Sequence, residues 1–335
     1  MNLSLTRGLN LVKITAGYLV SRILKRVIHW GNPIAVSIEP NNTCNLRCPE
    51  CPAGMQELTR PRGFMQPELF QSVISQFLPH LSYLTLYFQG EPFLSKHFLD
   101  FVVFATSKKI FVATSTNGHF LDAGTVQKIL ESGLNRLIIS LDGFDQESYG
   151  AYRQGGNFEK VIAGIRLLVS EKKRQKKQTP EIILQCLILK SNEQDLDKMR
   201  RLAKELSVDK LEFKTAQFND FEHGNPLMPE NPKHSRYKKL TSLPVHPLTG
   251  SPTPRFTPKT RHPNSCFRMW SSCVITWDGK VVPCCFDKDA THVLGDLTHQ
   301  DFREIWRGKP ADNFRHTILH NRKSVDICNN CSQSF

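Results

Sequence analysis

From residue 34 onward the chain repeats two hydrophobic patterns. Short apolar runs at 34–38, 83–88, 110–115, 136–141, 181–189 and 210–215 have the length of buried strands. Between them, residues 67–77, 96–108, 121–132, 158–171 and 192–206 carry apolar side chains at amphipathic helical spacing. Short strands alternating with helices predict an α/β fold built on a parallel sheet. The first residues read differently: Leu9, Val12, Leu19, Ile23 and Val27 recur near helical spacing, beside Arg7, Lys13, Arg22, Lys25 and Arg26 and no acid up to Trp30. A basic amphipathic helix is expected over residues 1–32. Its longest uncharged internal interval, Ile14 to Ser21, is far short of the roughly 20 residues of a membrane span. Charges running through the would-be apolar core also fit a signal peptide poorly. Two placements suit such a helix: packed against the outside of the fold, or lying on an anionic membrane face.

After residue 217 the periodicity breaks. Pro226, Pro229, Pro232, Pro244, Pro247, Pro252, Pro254, Pro258 and Pro263 mark residues 218–265 as a linker, either covering the site or partly disordered. Beyond it, Val274-Ile275-Thr276-Trp277-Asp278-Gly279-Lys280-Val281-Val282 reads as a hairpin turning at Asp-Gly. The expected organisation is thus a core at 33–217, the linker, and a small unit at 266–335. A chain of 335 residues with 39% apolar content is long enough for both.

Charge and cysteine content narrow the setting. Ten cysteines are too few and too clustered for a disulfide scaffold, and their metal-ligand spacings argue for a reducing, cytoplasmic compartment. Much of the formal charge of +13 lies in runs such as Lys172-Lys173-Arg174-Gln175-Lys176-Lys177, so nucleic-acid binding is not expected from it.

The chemistry lies in two cysteine groups. Cys44, Cys48 and Cys51 stand in C-x3-C-x2-C spacing directly after the first strand. Three thiolates on one loop hold three irons of a cubane cluster and leave the fourth iron open. Structural zinc takes four ligands, so a zinc knuckle here would need a distant fourth. The second group is Cys266, Cys273, Cys284, Cys285, Cys328 and Cys331. The hairpin returns Cys284 toward the strand that Cys266 precedes, and Cys328-x2-Cys331 adds two thiols. A zinc ribbon also fits that spacing. Adjacent Cys284 and Cys285 diverge on an extended backbone, so both are not expected to ligate one centre. Lone Cys186 reads as core.

Both groups resemble those of radical S-adenosylmethionine (SAM) enzymes carrying a shortened SPASM, or twitch, extension. The resemblance implies a partial (β/α)6 barrel of TIM type with its site at the strand C-terminal ends, and a small cluster-binding extension of hairpin and helices. It implies a 4Fe-4S cluster on Cys44, Cys48 and Cys51 that binds SAM, and one auxiliary 4Fe-4S cluster on Cys266, Cys284, Cys328 and Cys331, with Cys273 a packing residue. Gln89-Gly90-Glu91-Pro92 looks like the family's GGE-type motif with Gln89 for its first glycine, which assigns Gly90 and Glu91 to the SAM amino group. Thr116 and Asn117, before Gly118, match the cluster that faces SAM ribose and methionine. Ser140-Leu141-Asp142-Gly143 is similar to an S-x-D-G strand end, where Ser140 contacts SAM and Asp142 orders the loop. Arg153 would pair with the SAM carboxylate. Asn192-Glu193 falls where relatives start a helix, and a helix N-cap explains Asn192 equally. Leu294-Gly295-Asp296-Leu297 and Phe302-Arg303-Glu304-Ile305-Trp306 resemble the segment joining the halves of SPASM domains.

The implied activity is reductive cleavage of SAM to a 5′-deoxyadenosyl radical that abstracts a substrate hydrogen, for oxidation or crosslinking of a peptide or small molecule. Electrons would come from a flavodoxin or ferredoxin. The location expected is the cytoplasm or the inner membrane face. Two other readings stay open: a non-catalytic scaffold or electron carrier with thiolate-bound metal, and a radical SAM enzyme acting on RNA.

Overall fold

The computed structural model describes residues 4–240, 256–260 and 263–331; Pro244, Pro247, Pro252 and Pro254 lie outside the described residues. Six strands pair in parallel and in chain order: β1 (Ala35–Ile38), β2 (Tyr83–Thr85), β3 (Phe111–Thr116), β4 (Arg136–Ser140), β5 (Glu181–Ile188) and β6 (Lys210–Thr215). Around them run α1 (Leu5–Leu24), α2 (Pro52–Met55), α3 (Pro67–Phe77), α4 (Phe98–Ser107), α5 (Ala123–Glu131), α6 (Gln146–Gly150), α7 (Phe158–Arg174) and α8 (Leu196–Glu205). This is the partial (β/α)6 barrel, with active-site loops at the strand C-terminal ends. Local sequence starts the helices: Pro67 occupies the first turn of α3, Asp122 accepts from Thr125 N (2.8 Å), and Asn157 accepts from Lys160 N (2.9 Å). Phe70, Val73, Ile74 and Phe77 of α3, and Val161, Ile165 and Leu168 of α7, bury against the strand residues Leu84, Val112, Leu137, Ile139 and Leu184. β2 is shorter than its apolar run, ending at Thr85, although Leu86 N still donates to Ala113 O (2.8 Å).

α1 ends at Leu24, with Lys25 in the left-handed region, and crosses the N-terminal ends of the strands. Arg7 Nη1 donates to Lys109 O just ahead of β3 (2.9 Å), and Asn10 exchanges two hydrogen bonds with Asn32 just ahead of β1 (2.8 and 2.9 Å).

The proline-rich segment is folded where it is described. β7 (Tyr237–Lys239) pairs with β8 (Phe256–Pro258), and Phe218, Phe221, Met228 and Tyr237 pack over Leu46, Cys48 and Tyr152.

The C-terminal residues supply α9 (Arg268–Ser271), β9 (Ser272–Ile275), β10 (Lys280–Val282), β11 (Gly295–Asp296), α10 (Phe302–Trp306), α11 (Lys309–Asn321) and α12 (Asp326–Asn329). The hairpin turns as its Asp-Gly pair predicts, with Gly279 at φ +88 and its N–H donating to Thr276 O (3.0 Å). Its position is not foreshadowed: β9 pairs in parallel with β1, from Ala35↔Ser272 to Ile38↔Ile275, so one sheet of nine strands runs through barrel and extension. Cys273 faces Val36 in register and is buried with the barrel core.

Candidate active site and auxiliary cysteine cluster

The loop after β1 is fixed by a buried acid. Arg60 donates to both oxygens of Glu39 (2.6 and 2.5 Å), and the N–H groups of Gln89 (3.3 Å) and Trp277 (3.2 Å) donate to the same carboxylate. Burial pushes the Glu39 carboxyl up, and the Arg60 pair opposes that shift. One side chain thus joins the first strand, the second strand end and the C-terminal hairpin. Neither Glu39 nor Arg60 belongs to a recognised motif; the available signal was an acid immediately after a buried strand.

Cys44, Cys48 and Cys51 follow. Leu46 N donates to Cys44 Sγ (3.4 Å), Cys51 N to Cys48 O (3.2 Å), and Cys51 caps α2, whose first residue is Pro52. Burial raises the Cys44 thiol, and raises Cys48 to about 11. Metal binding there would release protons.

The other strand ends close around this loop. Gly90 has φ +77, and a Cβ there would sit 2.6 Å from Thr43 O and 2.8 Å from both Asn41 O and Thr43 N. The contact is tight because Glu91 N donates to Thr43 O (2.7 Å) and Asn41 Nδ2 to Glu91 O (2.9 Å). The Glu91 carboxylate, expected to face SAM, accepts from Phe93 N (3.2 Å), Thr116 Oγ1 (2.8 Å) and Asn117 N (2.7 Å). Burial pushes its carboxyl up to about 7 against those three donors. Asn117 Nδ2 donates to Asn45 Oδ1 in the cysteine loop (2.8 Å). His119 Nε2 accepts from Asn157 N (2.9 Å), so Nδ1 carries the proton and donates to Asn117 Oδ1 (3.0 Å). Burial lowers the His119 pKa, in keeping with that neutral tautomer. His119 positions Asn117, a role its sequence context did not signal.

Ser140 is buried at the end of β4. Asp142 accepts from Leu187 N (2.6 Å) and from Arg153 Nε (2.5 Å), while Arg153 Nη1 reaches to 3.9 Å from Cys48 Sγ. Asn192 is not a helix cap: α8 begins at Leu196 after Asp195, and Asn192 Nδ2 donates to Asp142 O and Leu187 O (2.8 Å each). A buried Asn192 ties two strand ends together instead. Cys186 lies in the core at 0% exposure.

At the other cysteine group, Cys266, Cys284, Cys328 and Cys331 line one pocket with Met269, Phe314, Ile318 and Arg322. Cys285 is not among the residues lining that pocket, and its Sγ lies 3.7 Å from Nη1 of Arg268, which does line it. Burial raises the Cys266 thiol and pushes Cys328 up to about 11. Arg322 donates to Ser265 O (2.8 Å) and to Cys331 Sγ (3.5 Å). The two cysteine groups meet through the cover: Tyr237 Oη donates to Asn330 Oδ1 (2.7 Å) and accepts from Phe218 N (3.0 Å), and Asn330 Nδ2 donates to Phe218 O (2.7 Å).

The family model of the Radical SAM superfamily matches residues 38–203, and that of an iron-sulfur cluster-binding domain, SPASM, matches residues 266–332. The chain belongs to the radical SAM superfamily. Among its relatives, the AdoMet-dependent heme synthase of Methanosarcina barkeri is 23% identical over 84% of this chain and 84% of its own length. The PqqA peptide cyclase of Rhizobium meliloti is 23% identical over 88% of this chain and 78% of its own. The solved structure of native anSMEcpe with bound AdoMet shares the fold at TM-score 0.59 and 18% identity, over 89% of this chain and 88% of that one.

A radical SAM enzyme with a SPASM segment binds SAM on a 4Fe-4S cluster and carries auxiliary iron–sulfur. The donor sets here suit both groups. Among the described residues no three His, Cys, Asp or Glu side chains converge on a single metal ion. A cubane asks for something else, one thiolate on each of several irons. Arg322 Nε is buried without a hydrogen-bond partner, and such a cationic donor beside the cysteines suits an anionic thiolate and sulfide set.

Proposed function

We propose that this radical SAM enzyme oxidises or crosslinks a peptide or small molecule, with Cys44, Cys48 and Cys51 holding the SAM cluster and Cys266, Cys284, Cys328 and Cys331 the auxiliary one. The observation that carries this reading is three thiols on one loop at the C-terminal end of β1, ringed by Glu91, Asn117 and the Asp142–Arg153 pair. When bound, SAM on the reduced cluster supplies a 5′-deoxyadenosyl radical, and the auxiliary cluster supplies an electron acceptor.

The residues divide the remaining work. Gly90 lets backbone carbonyls come close to the SAM ammonium, and Glu91 acts by fixing that segment, because its carboxylate already accepts three hydrogen bonds. Thr116, Asn117 and Ser140 offer polar groups to the ribose and methionine. Arg153 commits Nε to Asp142 and presents its remaining edge to the SAM carboxylate. Phe218, Met228 and Tyr237 keep water from the cysteine loop. A flavodoxin or ferredoxin is the proposed electron source. For location we propose the reducing cytoplasm, with α1 touching the inner face of the membrane.

Replacing Cys44, Cys48 and Cys51 together by Ala tests the assignment. Anaerobically reconstituted protein should lose 5′-deoxyadenosine formation and keep about half its iron, since one of two four-iron sites remains. Undiminished 5′-deoxyadenosine from that variant overturns the reading.

A further inference from the structure

α1 buries one face against the fold and leaves a second, apolar face uncovered. Its inward face carries Arg7, Asn10, Ile14, Gly17, Tyr18 and Ser21. Asn10 is held by Asn32, and Ser21 Oγ donates to Gly17 O (2.7 Å) and accepts from Ile28 N (2.9 Å). Ile14 and Tyr18 pack with Met269, Trp270, Ile318 and Leu319 of the C-terminal segment, and polar or small side chains fill the rest of this face. The opposite face is apolar and open: Leu5 is 81% exposed, Ile23 78%, Val12 65%, Leu9 55% and Leu19 48%. At 3.6 residues per turn these five fall on one stripe, about 27 Å long at 1.5 Å per residue. An amphipathic helix normally buries its apolar face in the core.

The charge around the stripe selects what covers it. Lys13, Arg22 and Arg26 are exposed on or just beyond α1, and no acid precedes Glu39 in the chain. Arg303 and Arg307 line a groove with Leu9, Lys13 and Trp30, and Trp30 is itself 52% exposed. A second copy of the same stripe would set these cations against themselves. An anionic lipid surface takes both the apolar stripe and the bases, with the indole at the interfacial level. No described helix is long and apolar enough to cross a membrane, so the helix would lie in the plane.

The position of α1 then sets an orientation. Its partners Asn32 and Lys109 stand at the N-terminal ends of β1 and β3, whereas Cys44, Glu91, Asn117 and Asp142 follow the C-terminal ends of β1 to β4. We infer that α1 is an in-plane anchor binding anionic lipid through its apolar stripe, and that it seats the barrel by its base so that the mouth faces the aqueous phase. This rests on the location proposed above. It makes the substrate one delivered from solution, or one tethered by a reach longer than the barrel is deep.

The test uses reconstituted enzyme with vesicles of phosphatidylcholine, alone or with phosphatidylserine. Cosedimentation should be at least tenfold stronger with phosphatidylserine. It should weaken by a similar factor in 1 M salt, where the screening length falls to about 3 Å. Leu9→Glu with Val12→Glu, or Lys13→Glu with Arg22→Glu and Arg26→Glu, should each lower it at least tenfold. Brominated phosphatidylserine should quench tryptophan emission in the native protein and in Trp277→Phe, but not in Trp30→Phe, since Trp277 follows β9 at the mouth end of the sheet. Quenching that follows Trp277 overturns the orientation and leaves membrane contact standing. No binding to anionic vesicles overturns both. So does a dimer in solution that Leu9→Glu with Val12→Glu disperses. None of these readings depends on turnover, so the radical assignment is judged separately.

Discussion

Gly90→Ala puts one methyl group into the contact between the β2 end and the cysteine loop. Two costs arise there, and a second glycine separates them. Gly90 and Gly155 share nearly the same backbone, φ +77 and +80, but a Cβ at Gly155 would meet nothing within 4 Å. Left-handed backbone costs a non-glycine residue about 1–2 kcal/mol, and the stiffer unfolded chain returns about 0.4–1 kcal/mol. Gly155→Ala should therefore destabilise by about 1 kcal/mol. At Gly90 the new atom meets Thr43 O at 2.6 Å and two further backbone atoms at 2.8 Å, and none can rotate away. Forcing a group into a filled site costs about 1–3 kcal/mol more, which brings Gly90→Ala to about 2–4 kcal/mol. What yields is the cysteine loop, through the Glu91 N to Thr43 O hydrogen bond of 2.7 Å. The assay compares denaturation midpoints of both variants, and iron and sulfide per chain after reconstitution. Only Gly90→Ala should lose iron and sulfide at the SAM cluster. Equal midpoints and equal iron in the two variants would refute the argument from close approach.

The pocket lining separates two adjacent cysteines. With Cys44, Cys48 and Cys51 already replaced by Ala, Cys284→Ala should lower auxiliary iron and Cys285→Ala should not, since only Cys284 faces Cys266, Cys328 and Cys331; the opposite pattern exchanges the two roles. Glu91 should tilt stability with pH. Its carboxyl is raised from 4.5 to about 7, so the fold holds a proton that the unfolded chain has released, and its contribution is full below about 4.5 and lost as pH rises through 7. At 1.36 kcal/mol per unit the loss is about 3 kcal/mol, which Glu91→Gln should abolish; equal slopes of denaturation midpoint between pH 5.5 and 8 in both proteins would contradict it.

What the sequence revealed follows from how local each signal is. Strands β3 to β6 and helices α3, α5 and α7 were legible because burial of one face imposes a period on neighbouring residues. The cysteine loop was legible because its ligands lie within one turn of chain. Asn192 misled because an asparagine ahead of a helix has the same appearance whether it caps that helix or clamps Asp142 O. The Glu39–Arg60 pair and the Tyr237–Asn330 link were invisible, being single contacts between segments without shared pattern. α1 shows a further limit: the pattern predicts an amphipathic helix, and only tertiary contact shows that Ile14 and Tyr18 are buried beside Asn10 and Ser21 while Leu5, Leu9, Val12, Leu19 and Ile23 stay exposed.

The same long-range contacts explain why the C-terminal segment belongs to the barrel. β1 would otherwise be an unpaired edge, with free backbone groups just ahead of the loop that carries Cys44, Cys48 and Cys51. β9 covers that edge over the full length of β1, and the next residue but one, Trp277, gives its N–H to Glu39. On the far side, Asn330 lies between Cys328 and Cys331 and holds the cover through Phe218 and Tyr237. Each thiol group is therefore built on an element that the other segment fixes in place. The separation of the two sites depends on buried backbone pairing and hydrogen bonds, which admit little adjustment. Under the function proposed above, in which the auxiliary cluster accepts an electron from the substrate, the two centres would need such a fixed spacing. A flexible linker between independent domains would not provide it, and the continuous sheet does.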